Sequence, residues 1–212
     1  MATLGALRIK LNDELGVLTD GEASPWTTAQ RNSAISDGYA DLWRSGVWRD
    51  ARQDLATVND QWVYALTTIR KLYRLELLDA ASRILERPRG IIEPDGSGAG
   101  TYQLRLVNPI AGGYTLRVRG WAPYTSTFAT DAATDDLPAE YNRIPLLKAK
   151  AILYRQALSK FMRSAEVQVI RPTMNSSADT ILAGIAAAER EYAEACRALS
   201  GQRPRVGLTG RL

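Results

Sequence analysis

Across residues 114–158 the apolar side chains change their period, and this change constrains the chain more than any other feature. In Tyr114-Thr115-Leu116-Arg117-Val118-Arg119-Gly120-Trp121, the apolar Tyr114, Leu116 and Val118 alternate with Thr115, Arg117 and Arg119. A period of two sends neighbours to opposite faces, so the segment reads as a half-buried strand. Pro123 leads into a loop of Thr, Ser, Ala and Asp, after which Ile144, Leu147, Ala151, Tyr154, Leu158 and Phe161 recur at threes and fours. That spacing keeps one stripe of a helix apolar. Pro138 can open this helix, because a proline in the first turn removes no bond the helix uses, and Pro145 then marks either a restart or a kink.

The same test sorts the rest of the chain. Period-two or β-rich runs occupy residues 62–69, 71–78 (Tyr73, Leu75 and Leu77 against Arg74 and Glu76) and 101–107 (Tyr102, Leu104 and Leu106 against Gln103, Arg105 and Val107). A Gly-rich stretch from Glu93 to Gly100 joins Ile91-Ile92 to the last of these as strand, turn, strand, giving four or five strands mid-chain. Residues 4–18 carry Leu4, Leu7, Leu11, Leu15 and Leu18 at helical spacing. A second helix follows Ser24-Pro25, with Thr27 and Gln30 in capping-box positions, Ile35, Tyr39, Leu42 and Trp43 as its stripe, and Gly46 as its stop. A fourth helix follows Pro172, capped by Ser176 or Ser177, with Ile181, Ile185, Ala188, Tyr192 and Leu199 on one face. The fold class expected is α+β. A bundle of about four helices comes from residues 1–50 and 137–199, with an antiparallel β insertion over 60–125 and an extended tail over 200–212.

The chain has no histidine, which removes Ser-His-Asp and Cys-His sites and the commonest transition-metal ligand. Asp131, Asp135 and Asp136 form the densest acidic group, but without the glycine spacing of a calcium loop they read as a solvated loop. There Asp136 and Glu140 favour the start of the third helix. Gly96-Ser97-Gly98-Ala99-Gly100 is not followed by the Lys-Ser or Lys-Thr of a phosphate-binding loop, so it reads as a hairpin tip. Cys196 falls near the apolar stripe of the fourth helix and reads as a small buried or half-buried thiol. A single cysteine forms no disulfide within the chain, so a reducing compartment is permitted. No cofactor, metal or catalytic set is expected.

No apolar run approaches the roughly 20 residues that span a bilayer. Arg8, Lys10, Asp13 and Glu14 also interrupt what would have to be a signal peptide's apolar core, so no membrane association is expected.

Charge is unevenly placed. Of the net +4, three charges belong to Arg203, Arg205 and Arg211 in an acid-free final segment, which leaves +1 for the remainder. The pI of 9.3 is therefore no signature of a nucleic-acid-binding body. The final segment has no helical or strand period and reads as either a frayed terminus or an arm that orders on a partner. Arg117 and Arg119 on one strand, with Arg105 on another, form either a basic sheet surface or a solvated face. Five Trp stand mostly at element ends (Trp26, Trp43, Trp48, Trp62, Trp121). Trp26 and Trp48, with Gly96 and Gly98 at the hairpin tip, are the candidates for subunit or partner contacts.

Four features together carry a resemblance: the Leu-rich first helix; the second helix opened by Pro25-Trp26-Thr27; the strand 114–121; and Asp135-Asp136-Leu137-Pro138-Ala139-Glu140-Tyr141 before the third helix. In these and in layout the chain resembles the head-to-tail adaptor (connector, or head completion) proteins of tailed bacteriophages. The resemblance implies a non-enzymatic structural protein of the virion neck, assembled in the host cytoplasm. Such a protein docks on the portal ring, joins neighbouring adaptor subunits in a dodecameric ring, and extends the channel through which genomic DNA passes without sequence recognition. It also presents a surface to the next neck or tail protein. The resemblance further implies a C-terminal arm on the portal, here Arg203, Arg205, Val206, Leu208, Arg211 and Leu212. The smallest adaptors are nearly all helix, and the sizeable β insertion departs from them. The alternative is a DNA-recognition ring such as a small terminase subunit, with the second helix in a helix-turn-helix. Asp37 and Asp41 offset Arg31 and Arg44 on that helix and argue against it.

Overall fold

The computed structural model describes residues 1–15, 26–97, 101–163 and 178–201. Among them lie four helices: α1 (Leu4–Leu15), α2 (Thr28–Arg44), α3 (Arg143–Arg163) and α4 (Ala178–Gly201). Between α2 and α3 run seven strands: β1 (Arg49–Ala56), β2 (Val63–Leu66), β3 (Lys71–Leu78), β4 (Ile84–Glu86), β5 (Gly90–Pro94), β6 (Tyr102–Leu106) and β7 (Thr115–Ala122). The fold is α+β, and the chain divides into a helical unit and a β unit, the latter spanning Trp48–Pro123.

In the helical unit the leucine spacing of α1 buries Leu4, Leu7, Leu11 and Leu15, while Leu18 lies outside the described residues. The capping box of α2 is formed: Thr27 Oγ1 accepts from the Gln30 amide at 3.2 Å, and Gln30 Oε1 accepts from the Thr27 amide at 2.9 Å. At its other end Gly46 takes φ 79°, and the Val47 amide donates to the Leu42 carbonyl at 2.9 Å, the paired-bond stop that favours glycine. The two prolines divide the work at α3. Pro138 precedes a single 3-10 turn, Ala139–Tyr141, and Pro145 sits in the first turn of α3, where no N–H is required, so the helix neither restarts nor kinks there.

One core receives side chains from all four helices, including Leu7, Leu11, Ile35, Tyr39, Leu42, Leu147, Leu153, Tyr192 and Cys196. Gly38 allows α2 and α3 to approach closely, since a Cβ there would lie 2.3 Å from the Pro145 carbonyl oxygen. Arg143 bridges Glu14 of α1 at 2.7 Å and Glu191 of α4 at 3.3 Å.

The β unit holds two antiparallel sheets rather than one, ordered β1-β7-β3-β4 and β2-β6-β5. Their apolar sides share a core of Tyr64, Leu66, Ile69, Leu75, Leu77, Leu104, Leu106, Ile110, Leu116 and Val118. Strand β1 pairs with β7 along its whole length, from Arg49 opposite Ala122 to Ala56 opposite Thr115. On the inner side of β7, Gly120 admits the neighbouring strand: a Cβ would fall 2.2 Å from the Lys71 carbonyl oxygen. Gln53 closes the exposed edge of β2 by donating to the Ala65 carbonyl and accepting from the Thr67 amide at 3.0 Å.

Two sequence expectations need correction here. Strand β1 was not anticipated, because Arg49-Asp50-Ala51-Arg52-Gln53-Asp54 offers only small or polar residues between its charges. In β3, Tyr73 does not share the face of Leu75 and Leu77: the register shifts between Leu72 and Arg74, and the Tyr73 ring packs 5.1 Å from Trp121 on the outer face, where Glu76 is buried at 2% exposure beneath Arg74 and Arg119.

Candidate interaction surfaces

The acidic loop before α3 is solvated at Asp131, as expected, but Asp135 makes it a clasp. Asp135 is 1% exposed and accepts from the Tyr39 hydroxyl at 2.6 Å and the Ala2 amide at 2.5 Å, tying α2 and the first residues of the chain to this loop. Burial, then the hydrogen bond to Asp135, push the Tyr39 hydroxyl far above its ordinary pKa. Asp131 accepts from Arg8 Nη1 and Nη2 at 2.9 Å each, which holds its carboxyl below the usual range. Asp136 accepts from the Thr125 amide at 2.7 Å. Each carboxylate thus serves a different partner, and among the described residues no group of three or more potential ligands is placed to hold a metal.

Cys196 is buried, and burial raises its thiol pKa, the opposite of what a nucleophile needs. At the hairpin tip, Asp95 accepts from the Ser97 amide at 2.9 Å and from the Ser97 and Thr101 hydroxyls, closing an exposed turn around Gly96 at φ 79°. Gly98 lies outside the described residues, as does the arm of Arg203, Arg205, Val206, Leu208, Arg211 and Leu212.

The two tryptophans singled out part company. Trp26 is 2% exposed and its Nε1 donates to the Leu153 carbonyl at 3.1 Å, so it anchors the helical core and has no surface to offer a partner. Trp48 is half-buried in the β unit, beside Trp121 with centroids 6.1 Å apart, and Lys71 Nζ lies 3.8 Å over its ring. The helix-turn-helix alternative also loses ground. Arg31, which would have to reach a phosphate, is 2% exposed and donates to Asn12 Oδ1 at 2.9 Å inside the helical unit.

The large apolar residues that remain exposed belong mainly to the β unit. Of eleven large apolar residues exposed among those described, eight lie between Val58 and Tyr114. Leu85, Val107 and Tyr114 line a cleft of about 520 Å³ beside the short edge strand β4. The β unit also carries a charge surplus, with eleven Lys and Arg against eight Asp and Glu, net +3. No sequence period announces this cleft, because Leu85 comes from β4 while Val107 follows β6 and Tyr114 precedes β7.

No protein-family model matches the chain, and no curated protein does. Among solved structures it is similar to a chain in the neck of an empty gene transfer agent (GTA) particle, computed with C6 symmetry. The identity is 14%, over 89% of this chain and 92% of that one, with a TM-score of 0.33. A chain in the virion of a native gene transfer agent particle is similar at 14% identity, over 88% and 91%, with a TM-score of 0.33. Similarity this loose adds nothing to the argument from the residues. Among the described residues no helix is long and apolar enough to cross a membrane.

Proposed function

We propose that the chain is a structural protein of a tailed-phage neck, a head-to-tail adaptor that seats on the portal ring, extends the DNA channel and presents a surface to the next neck or tail component. The observation that carries this reading is the division of labour between the units. The helical unit spends its buried polar side chains internally, as in the Asp135 clasp and the Arg31–Asn12 bond, while the β unit carries most of the large apolar residues left exposed. Exposed apolar clusters on a folded chain mark contact with other proteins. In the neck those partners are neighbouring copies in a dodecameric ring, through the cleft of Leu85, Val107 and Tyr114, and the next neck or tail protein. Genomic DNA passes through the lumen without sequence recognition. The protein functions in the virion after assembly in the host cytoplasm, and performs no catalysis.

The arm from Arg203 to Leu212 is the proposed portal contact, its arginines pairing with acidic side chains of the portal and Val206, Leu208 and Leu212 packing against its apolar surface. The test is attachment of purified protein to portal-bearing, DNA-filled heads, scored by electron microscopy. Full-length chain is expected to form a ring beneath the portal. Chain truncated after Gly201, the last residue of α4, is expected to keep its melting temperature and fail to attach. Attachment at the full-length level would refute the arm, and no attachment by either chain would refute the adaptor.

A further inference from the structure

The outer face of the sheet β1-β7-β3 brings together arginines that are distant in sequence. Arg52 pairs in register with Arg119, and Arg119 with Arg74, so one row across three strands is arginine at every position. The next row is Asp54, Arg117, Glu76, and the row on the other side is Asp50, Trp121, Lys71. Like charges directly opposite on a sheet repel, so a row of three cations weakens the sheet unless anions compensate it.

The compensation within the face is partial. Asp54 takes Arg117 at 2.9 Å and Arg52 at 3.6 Å, and Glu76 takes Arg119 and Arg74 at 3.3 Å each. Two carboxylates thus serve four guanidinium groups. Asp50 and Lys71 balance one another in number, so the face keeps a surplus of two positive charges. The row remains open to solvent, with the side chains of Arg52, Arg74 and Arg119 exposed at 59%, 42% and 38%. A guanidinium carries five donors, so one edge can hold an internal carboxylate while another faces outward.

We infer that this arginine row is a binding site for the phosphate backbone of double-stranded DNA. Adjacent strands lie about 4.8 Å apart, so the row extends roughly 10 Å, with Arg117 a further 7 Å or so along β7. That is a flat cationic grid suited to successive phosphates. The aromatic groups beside it are already occupied: Trp121 packs on Trp48 and on Tyr73, at 6.1 and 5.1 Å between centroids, and Trp48 carries Lys71. The face therefore grips backbone and leaves bases unread. The densest acidic group of the same chain is already engaged within it, Asp131 by Arg8, Asp135 by Tyr39 and Ala2, and Asp136 by Thr125. The inference names the surface by which the proposed neck protein would touch its DNA. It rests on that reading only for its biological setting, because the assay needs neither portal nor head.

The test is the affinity of the full chain for a mixed-sequence DNA duplex as salt is raised. Three phosphate contacts predict a log–log slope of about −2.7, or roughly forty-fold weaker binding at 200 mM than at 50 mM salt. Arg52→Gln with Arg74→Gln leaves the Arg117–Asp54 and Arg119–Glu76 pairs in place, and should reduce the slope to about −0.9 and the affinity at low salt at least tenfold. Ala56→Lys, on the same exposed side of β1, should steepen the slope by about 0.9 and tighten binding. Arg83→Gln, an exposed arginine outside the row, should change affinity less than twofold. The proposal is overturned if the double variant binds like wild type, if Arg83→Gln weakens binding as much as the double variant, or if poly-glutamate of matched charge binds as tightly as the duplex. Tight, sequence-selective binding that survives 200 mM salt would overturn it in favour of a DNA-recognition protein.

Discussion

Tyr39→Phe isolates the clasp at the centre of the helical unit. The substitution removes one oxygen and keeps the ring, whose edge-to-face contact with Phe128 at 5.3 Å remains. It deletes the 2.6 Å bond to Asp135 Oδ2, and with Asp135 only 1% exposed the carboxylate loses a donor that water replaces poorly. A hydrogen bond to a buried charged group contributes about 1.5–3 kcal/mol. The unfolding transition of the helical unit, followed by circular dichroism, should therefore shift by about 1 M urea for a slope near 2 kcal/mol per molar. Tyr73→Phe, on the half-buried outer face of the β unit, should change stability by less than about 0.5 kcal/mol. A double-mutant cycle with Asp135→Asn should give a coupling energy of about 1 kcal/mol or more. A shift below about 0.5 kcal/mol for Tyr39→Phe, with no coupling to Asp135, would show that the loop is not held by this bond.

Gly38→Ala and Gly120→Ala should each destabilise by about 1–3 kcal/mol, because the added methyl meets a backbone carbonyl oxygen at 2.3 or 2.2 Å; unchanged melting of either variant would refute the close approach. Glu14 and Asp54 are held below their ordinary values of 4.5 and 3.8 by hydrogen bonds from Arg143 and Arg117. The unfolded chain binds more protons at these sites, so their contribution is whole above those ordinary values and is lost as pH falls through the lowered ones; acid titration of Glu14→Gln should show a shallower loss than wild type. Cys196 should react with a thiol reagent only as the helical unit unfolds, since burial both shields it and raises its pKa; rapid stoichiometric labelling of the native protein would contradict its placement.

The elements most legible in the sequence were those whose burial is one-sided. The stripes of α1, α2 and α4 and the alternation of β6 and β7 each leave a polar face to set against an apolar one. The cap of α2 was readable for a different reason, because Thr27, Gln30 and Gly46 act through local backbone bonds that need no tertiary context. Strand β1 escaped notice because its inward residues, Ala51, Gln53 and Leu55, are mostly small or polar, and only Leu116 and Val118 across the ladder make that side a core. Tyr73 misled for a different reason: alternation assumes an unbroken register, and the shift between Leu72 and Arg74 that turns Tyr73 away from Leu75 and Leu77 leaves no mark in the sequence. Trp26 is a residue whose type suggests an interface and whose Nε1 bond to Leu153 shows an interior anchor. Only part of the arginine row was legible: Arg119 stood out with Arg117 as a basic strand face, whereas Arg52 and Arg74 become its neighbours only through two strand registers.

Those registers have an evolutionary consequence as well. Arg49 and Ala122, the first and last paired residues of the β unit, face one another across a single ladder, so the unit leaves and rejoins the chain at nearly one point. An excursion with adjacent ends behaves like a cassette. A lineage can lengthen it, exchange it for another or discard it by closing a gap of about 5 Å, without rethreading the helices that flank it. Selection can therefore retune the outward surfaces of such a protein at a pace independent of its helical core.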